Sequence, residues 1–228
     1  MEAEEVYSQP SRKRGRDQRA PRRKKFMRHV LRKLPASMSM HSFTRKSTQA
    51  LAVTNAVGIV NYANAFTLAQ LPNYSEFTAL FDMYKIRKIE ITWIYDHNSG
   101  EVATSAGVAA NANMGVPNLV VVTDYDDASA LSVINDYLQY EPCRICRLDK
   151  PVRHTLYPHS AVAVYNGAFA GYGNDRARWI DCDSSAAEHY GCKWAVDATM
   201  CNIAASAAVR IGTLNVYYKF FVDFRSTK

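Results

Sequence analysis

Several things are scarce in this sequence, and each scarcity removes a class of protein. Cysteine is one: five in 228 residues. That odd number in a chain of this size argues against a disulfide framework and suits a reducing compartment or an assembled particle. Long apolar runs are another, since nothing approaches the roughly 18 consecutive apolar residues that a membrane helix needs. The longest uncharged window, Ser47–Ser75, is rich in Asn, Thr and Gln, so no spanning segment and no membrane partner is expected. The first ten residues are acidic and polar, unlike the basic and then apolar start of a secretory signal. Catalytic signatures are missing too. There is no GxSxG elbow, HExxH pair, GxxxxGK[ST] phosphate cradle or GxGxxG turn. The six histidines are scattered and none is paired in sequence with a nucleophile. An enzyme and a bound cofactor are therefore not expected.

Acidic residues are scarce in one place above all. Between Arg12 and Lys33 there is a single acid, Asp17, against twelve bases: Arg12, Lys13, Arg14, Arg16, Arg19, Arg22, Arg23, Lys24, Lys25, Arg28, Arg32 and Lys33. Residues 1–49 hold 14 Lys/Arg and 4 Asp/Glu, a sum of +10, and residues 50–228 hold 14 and 17, a sum of −3. The chain therefore reads as a basic arm, 1–45, mostly without fixed structure, followed by a folded domain, 46–228. Arginine outnumbers lysine eight to four in the basic run. Guanidinium groups are weakly hydrated and bind phosphate through two donors, which points to nucleic acid. Self-repulsion together with Pro10, Gly15 and Pro21 keeps the run unfolded alone. Its binding should be salt-sensitive and blind to base sequence, because only Phe26 offers a ring for stacking. The clusters Arg12–Arg14 and Arg22–Lys25 also have the form of a nuclear import signal. Phe26, Val30 and Leu34 recur at helical spacing, a short amphipathic piece that is marginal on its own.

The rest of the sequence alternates as strands do. In Thr213–Arg225 the even positions are Leu214, Val216, Tyr218, Phe220, Val222 and Phe224, the pattern of a long half-buried strand. His189–Ala198 alternates likewise, with Lys193 on the polar side. Leu119–Val122 is a continuous apolar run rich in β-branched residues, as in a strand covered on both faces. In Tyr84–Tyr95 the apolar parity switches between Ile86 and Ile89, which predicts a bulge near Arg87–Lys88. Further strands are expected at 51–60, 63–70, 143–148, 152–157 and 161–165, and helices at Asn73–Tyr84 and Asp127–Tyr140. Eight or so strands with long loops indicate an all-β jelly roll or sandwich with two short helices in its loops.

Two constellations have metal-ligand chemistry. Cys143 and Cys146 have the spacing of half a zinc site, but no second pair matches it, and positions i and i+3 of a strand face opposite ways. Asp124, Asp126 and Asp127 form an acidic knot that oxygen-loving calcium can use; helix capping in a turn is the plainer account. No metal is expected.

Four passages together carry a resemblance: Phe77–Ile89, Val122–Ala128, His189–Lys193 and Tyr217–Phe224. With the basic arm ahead of them, the chain resembles the capsid proteins of circular, Rep-encoding single-stranded DNA viruses, the circovirus-like group. The resemblance implies an eight-stranded jelly roll in two facing four-stranded sheets. It also implies self-assembly of roughly sixty copies into a small icosahedral shell, with the arms turned inward on a single-stranded DNA genome. A host nuclear import receptor would be a second partner, with the virion and the host nucleus as locations; which host-cell surface receptor it meets does not follow from the sequence. The acidic leader Met1–Glu5 departs from an arm that is basic from its start. The alternatives are a jelly-roll capsid protein of a small RNA or satellite virus, a non-viral nucleic-acid-binding β-sandwich, and a metal-dependent enzyme.

Overall fold

The computed structural model describes residues 39–54, 59–97, 116–163, 172–176, 178–197 and 210–227. Eleven strands and two helices follow in chain order: β1 (His41–Thr54), β2 (Ile59–Phe66), α1 (Tyr74–Leu80), β3 (Phe81–His97), β4 (Asn118–Val122), α2 (Ile134–Leu138), β5 (Arg144–Arg147), β6 (Val152–Leu156), β7 (His159–Ala163), β8 (Tyr172–Arg176), β9 (Ile180–Asp181), β10 (His189–Asp197) and β11 (Arg210–Thr227). One sheet runs β1-β11-β3-β6, with β9 on β3. The other runs β5-β4-β10-β7-β8, with β2 on β10. All pairings are antiparallel. The chain crosses repeatedly between the sheets, β1 in one, β2 in the other, β3 back in the first. That alternation is the topology of a jelly roll.

The expected four-plus-four arrangement is enlarged to five and six strands, and ladder length explains why. β3 pairs with β6 only over Ile89–Trp93, so its start is left open and β9 takes Met83 and Tyr84. β10 pairs with β4 only over Lys193–Asp197, and β7 takes His189 and Tyr190 beyond it. The short strands satisfy backbone groups that the principal ladder leaves unpaired. β1 begins at His41, inside the segment assigned to the arm. Its inward positions are polar as well as apolar, with Arg45, Ser47 and Gln49 following Phe43, so periodicity did not mark it. The sheet supplies partners for those polar groups: Tyr218 Oη donates to Gln49 Oε1 at 3.4 Å, and Arg45 lies over the Phe77 ring.

The bulge falls where the parity switch puts it. Phe221 pairs with Lys88 and Val222 with Ile86, leaving Arg87 as the extra residue. Both helices are shorter than expected. α1 ends at Leu80, which is exposed, and Phe81 and Tyr84 belong to β3. Asp127–Val133 is not helical, and only Ile134–Leu138 coils. Asn73 precedes α1 in the left-handed region, φ 58°, a conformation that Asn adopts at little cost.

The inner faces of the two sheets meet in one core. Trp93 and Trp194 make an edge-to-face pair across it, 6.0 Å between centroids, and Phe224 stacks on both Phe77 and Phe81. A polar chain also joins the sheets. Trp194 Nε1 donates to Asn64 Oδ1 at 3.0 Å, and Asn64 Nδ2 donates to Tyr218 Oη at 3.2 Å. A second, smaller cluster of Val120, Val122, Tyr137 and Ala195 lies on the opposite side of the β4–β10 pair, with Leu131 and Ile134 against it. Among the described residues no helix is long and apolar enough to cross a membrane.

Candidate functional site

The twelve bases from Arg12 to Lys33 lie outside the described residues, as do Met1–Glu5 and the amphipathic segment at 26–34. The described part of the molecule holds two charged features that sequence periodicity did not separate.

The first is buried. Lys193 is in the centre of β10 and is 2% exposed. Its Nζ is 2.8 Å from Asp124 Oδ2 and 2.5 Å from Asp127 Oδ1. Asp124 also accepts the Asp126 N–H at 2.9 Å and the Tyr140 hydroxyl, while Asp127 accepts the Ser129 N–H at 3.0 Å. Burial alone would lower the pKa of the lysine, but the hydrogen bonds it donates to both aspartates outweigh it and hold it up to about 12. The bond from Lys193 holds the Asp127 carboxyl below its usual range. The acidic knot therefore has a partner within the protein. The positive charge a cation would bring to Asp124 and Asp127 comes from an ammonium, and no group of three His, Cys, Asp or Glu residues among the described residues could hold a metal ion. Nor does Asp127 cap a helix. Lys193 escaped sequence reasoning because strict alternation put it on a solvent face. The cue available in sequence was the concentration of three aspartates after β4, the strand that pairs with β10.

Cys143 and Cys146 are half-buried free thiols, and Cys182 and Cys192 are buried ones. Cys146 pairs in register with Leu119 at the β4–β5 ladder, and burial raises the Cys143 pKa. His189 is buried beside two carbonyls, Phe66 O at 3.2 Å and Ala187 O at 3.0 Å from Nδ1, and burial holds its pKa below the ordinary histidine value. These are structural roles.

The second feature is exposed. On the solvent side of the β1-β11-β3-β6 sheet, cross-strand register builds two charged or aromatic rows. One is Thr48–Tyr217–Thr92–Arg153 and the other Lys46–Lys219–Glu90–Thr155. All of these but Thr48 line a groove of about 530 Å³. The neighbouring Phe221 ring lies under both Lys88 and Lys219, at 4.0 and 4.7 Å.

A family model for the circovirus capsid protein matches residues 10–228. The chain belongs to the circovirus capsid protein family. It is a viral capsid protein and a virion component, and the family is one of structural proteins, not enzymes. Similar solved structures include the 60-mer capsid protein of BFDV, 11% identical, covering 83% of this chain and 95% of that one with a TM-score of 0.53. The decameric BFDV capsid protein is 14% identical, covering 82% and 99% with a TM-score of 0.45. A virus-like particle of the giant freshwater prawn Macrobrachium rosenbergii nodavirus is 11% identical, covering 84% and 94% with a TM-score of 0.45. The first of these likenesses shows that this circovirus-family capsid protein shares the BFDV capsid fold. No curated protein matches the chain.

Proposed function

We propose that this capsid protein assembles into a small icosahedral shell and packages single-stranded DNA through its Arg-rich arm. The observation that carries the reading is the division of charge, +10 in residues 1–49 and −3 in residues 50–228, in a chain of this family. The arm runs up to His41, where β1 begins, and the shell domain follows. Sixty copies is the number in the BFDV 60-mer, and the same number here supplies on the order of 660 positive charges from Arg12–Lys33. That offsets a large part of a genome of about a thousand nucleotides. The clusters Arg12–Arg14 and Arg22–Lys25 engage a host nuclear import receptor before assembly, since import and packaging both require an exposed basic peptide.

Negative-stain electron microscopy with the A260/A280 ratio of the same peak tests assembly and packaging together. Uniform particles with excess absorbance at 260 nm are expected. Deleting residues 1–33 should lower the ratio sharply while the shell domain still folds. A deletion protein that retains as much nucleic acid as the full chain at moderate salt refutes packaging by the arm.

A further inference from the structure

The shell domain carries a second division of charge. Lys46, Lys88, Lys219 and Arg153 stand around the groove on the solvent face of the β1-β11-β3-β6 sheet, against Glu90, while Lys85, Arg225, Asp223 and Asp96 lie further along the same face. Glu90 is bound to Lys88 at 2.6 Å and lies 3.6 Å from Lys219. Lys46 and Arg153 have no ion pair among the described residues.

We propose that this face is a binding surface for single-stranded nucleic acid, with Tyr217 as the stacking platform for a base and Lys46, Lys219 and Arg153 as phosphate contacts. The proposal rests on the packaging reading and adds a site on the shell domain to the arm. Three observations support it. Tyr217 is 44% exposed on the outward side of a central strand, where its ring adds nothing to the core. Lys46 and Lys219 are directly opposed across the β1–β11 ladder, and like charges so placed destabilise a sheet; a phosphate between them removes that cost. Arg153 completes the row that begins beside Tyr217, and Arg144 of β5 reaches it, with Arg144 Nη1 donating to Arg153 O at 3.3 Å. Cations around a solvent-facing ring are what a flexible single strand requires. A duplex keeps its bases stacked and has no use for the ring. A sulfated polysaccharide needs the cations alone.

The test uses the full-length chain and a fluorescent oligothymidine, with affinity measured over a salt series. Tyr217→Ala should weaken binding about tenfold and Tyr217→Phe should restore it. The triple neutralisation Lys46→Gln, Arg153→Gln, Lys219→Gln should lower the slope of log affinity against log salt by about two. A bromouracil-substituted oligonucleotide should photocrosslink to the peptide containing Tyr217, a readout independent of any loss of stability in the variants. Unchanged affinity and slope with no crosslink there overturns the proposal. If binding is then lost only on neutralising Arg12–Lys33, the arm alone packages. If instead the sheet variants lose binding and the arm variant keeps it, the proposal stands and the arm reading fails. Loss of heparin binding by the triple variant with oligonucleotide binding intact assigns the face to a polysaccharide and overturns the proposal.

Discussion

Strands β10 and β11 are neighbours in chain order and carry similar period-two patterns, yet water reaches them differently. β11 is a central strand of its sheet, and its odd positions Tyr217, Lys219 and Phe221 stay in part accessible, while Val216, Tyr218 and Phe220 are buried. β10 is central in the other sheet, but Gly191 to Val196 are buried without a break. The difference comes from the segment between β4 and β5. α2 and the turn before it place Leu131, Ile134 and Tyr137 over Val120, Val122 and Ala195. A lysine on that covered face needs internal partners, and Asp124 and Asp127 supply them. A lysine at the matching place on β11 keeps its water.

The largest way to break this contrast is Lys193→Ala, which leaves Asp124 buried without its counter-ion. It should cost about 3–5 kcal/mol, read from chemical denaturation. A cost below about 1 kcal/mol would show that the covering segment lifts away freely. Adding Asp124→Asn to Lys193→Met should recover part of the loss, since the pair is coupled.

A smaller effect is expected at Gly191 in the same strand. A Cβ there would lie 3.1 Å from Tyr125 Cε1 and 3.2 Å from Leu156 Cδ1. Tyr125 is itself stacked on His159, 3.8 Å between ring centroids, and cannot retreat. Gly191→Ala should therefore cost about 1–3 kcal/mol, visible as a lowered Tm.

Acid sharpens the comparison further. Burial lowers the pKa of His154, His159 and His189, so each binds its proton more readily when unfolded. Their contribution is complete above the unfolded value of about 6.5 and is lost as pH falls from there towards the folded values. Asp127, also lowered, adds its loss as pH falls below about 3.9. Lys193 acts at the other end, its contribution lost as pH rises through about 12. A stability profile flat from pH 7 to 5 would contradict the burial of these imidazoles. The smallest effect belongs to the exposed face. Lys46→Ala should change stability by no more than about 0.5 kcal/mol, in the stabilising direction because a like-charge contact disappears.

Much of the fold was legible because its strands are half-buried. Period two in Thr213–Arg225, the parity switch at Arg87–Lys88 and the unbroken run Leu119–Val122 each record which faces meet apolar neighbours. The His41–Ala50 part of β1 was not legible, because Gln49 and Arg45 look inward to Tyr218 and the Phe77 ring, which lie far away in sequence. β9 was too short to register, and the helical spacing in Asp127–Tyr140 was real over only one turn. For the candidate sites, composition alone marked the arm as basic. The sheet face was invisible, since Lys46, Arg153, Tyr217 and Lys219 come from three strands whose register brings them together.

The sequence by itself determined the charge division, the all-β character and the apolar faces, because each depends on residue type and local spacing. Only the tertiary structure decided that Lys193 is buried, that the acidic knot already has its cation, and that cations and a tyrosine share one face of a sheet. Those outcomes depend on which strands lie side by side and what covers them, and such contacts join residues too far apart in the chain for any local pattern to record.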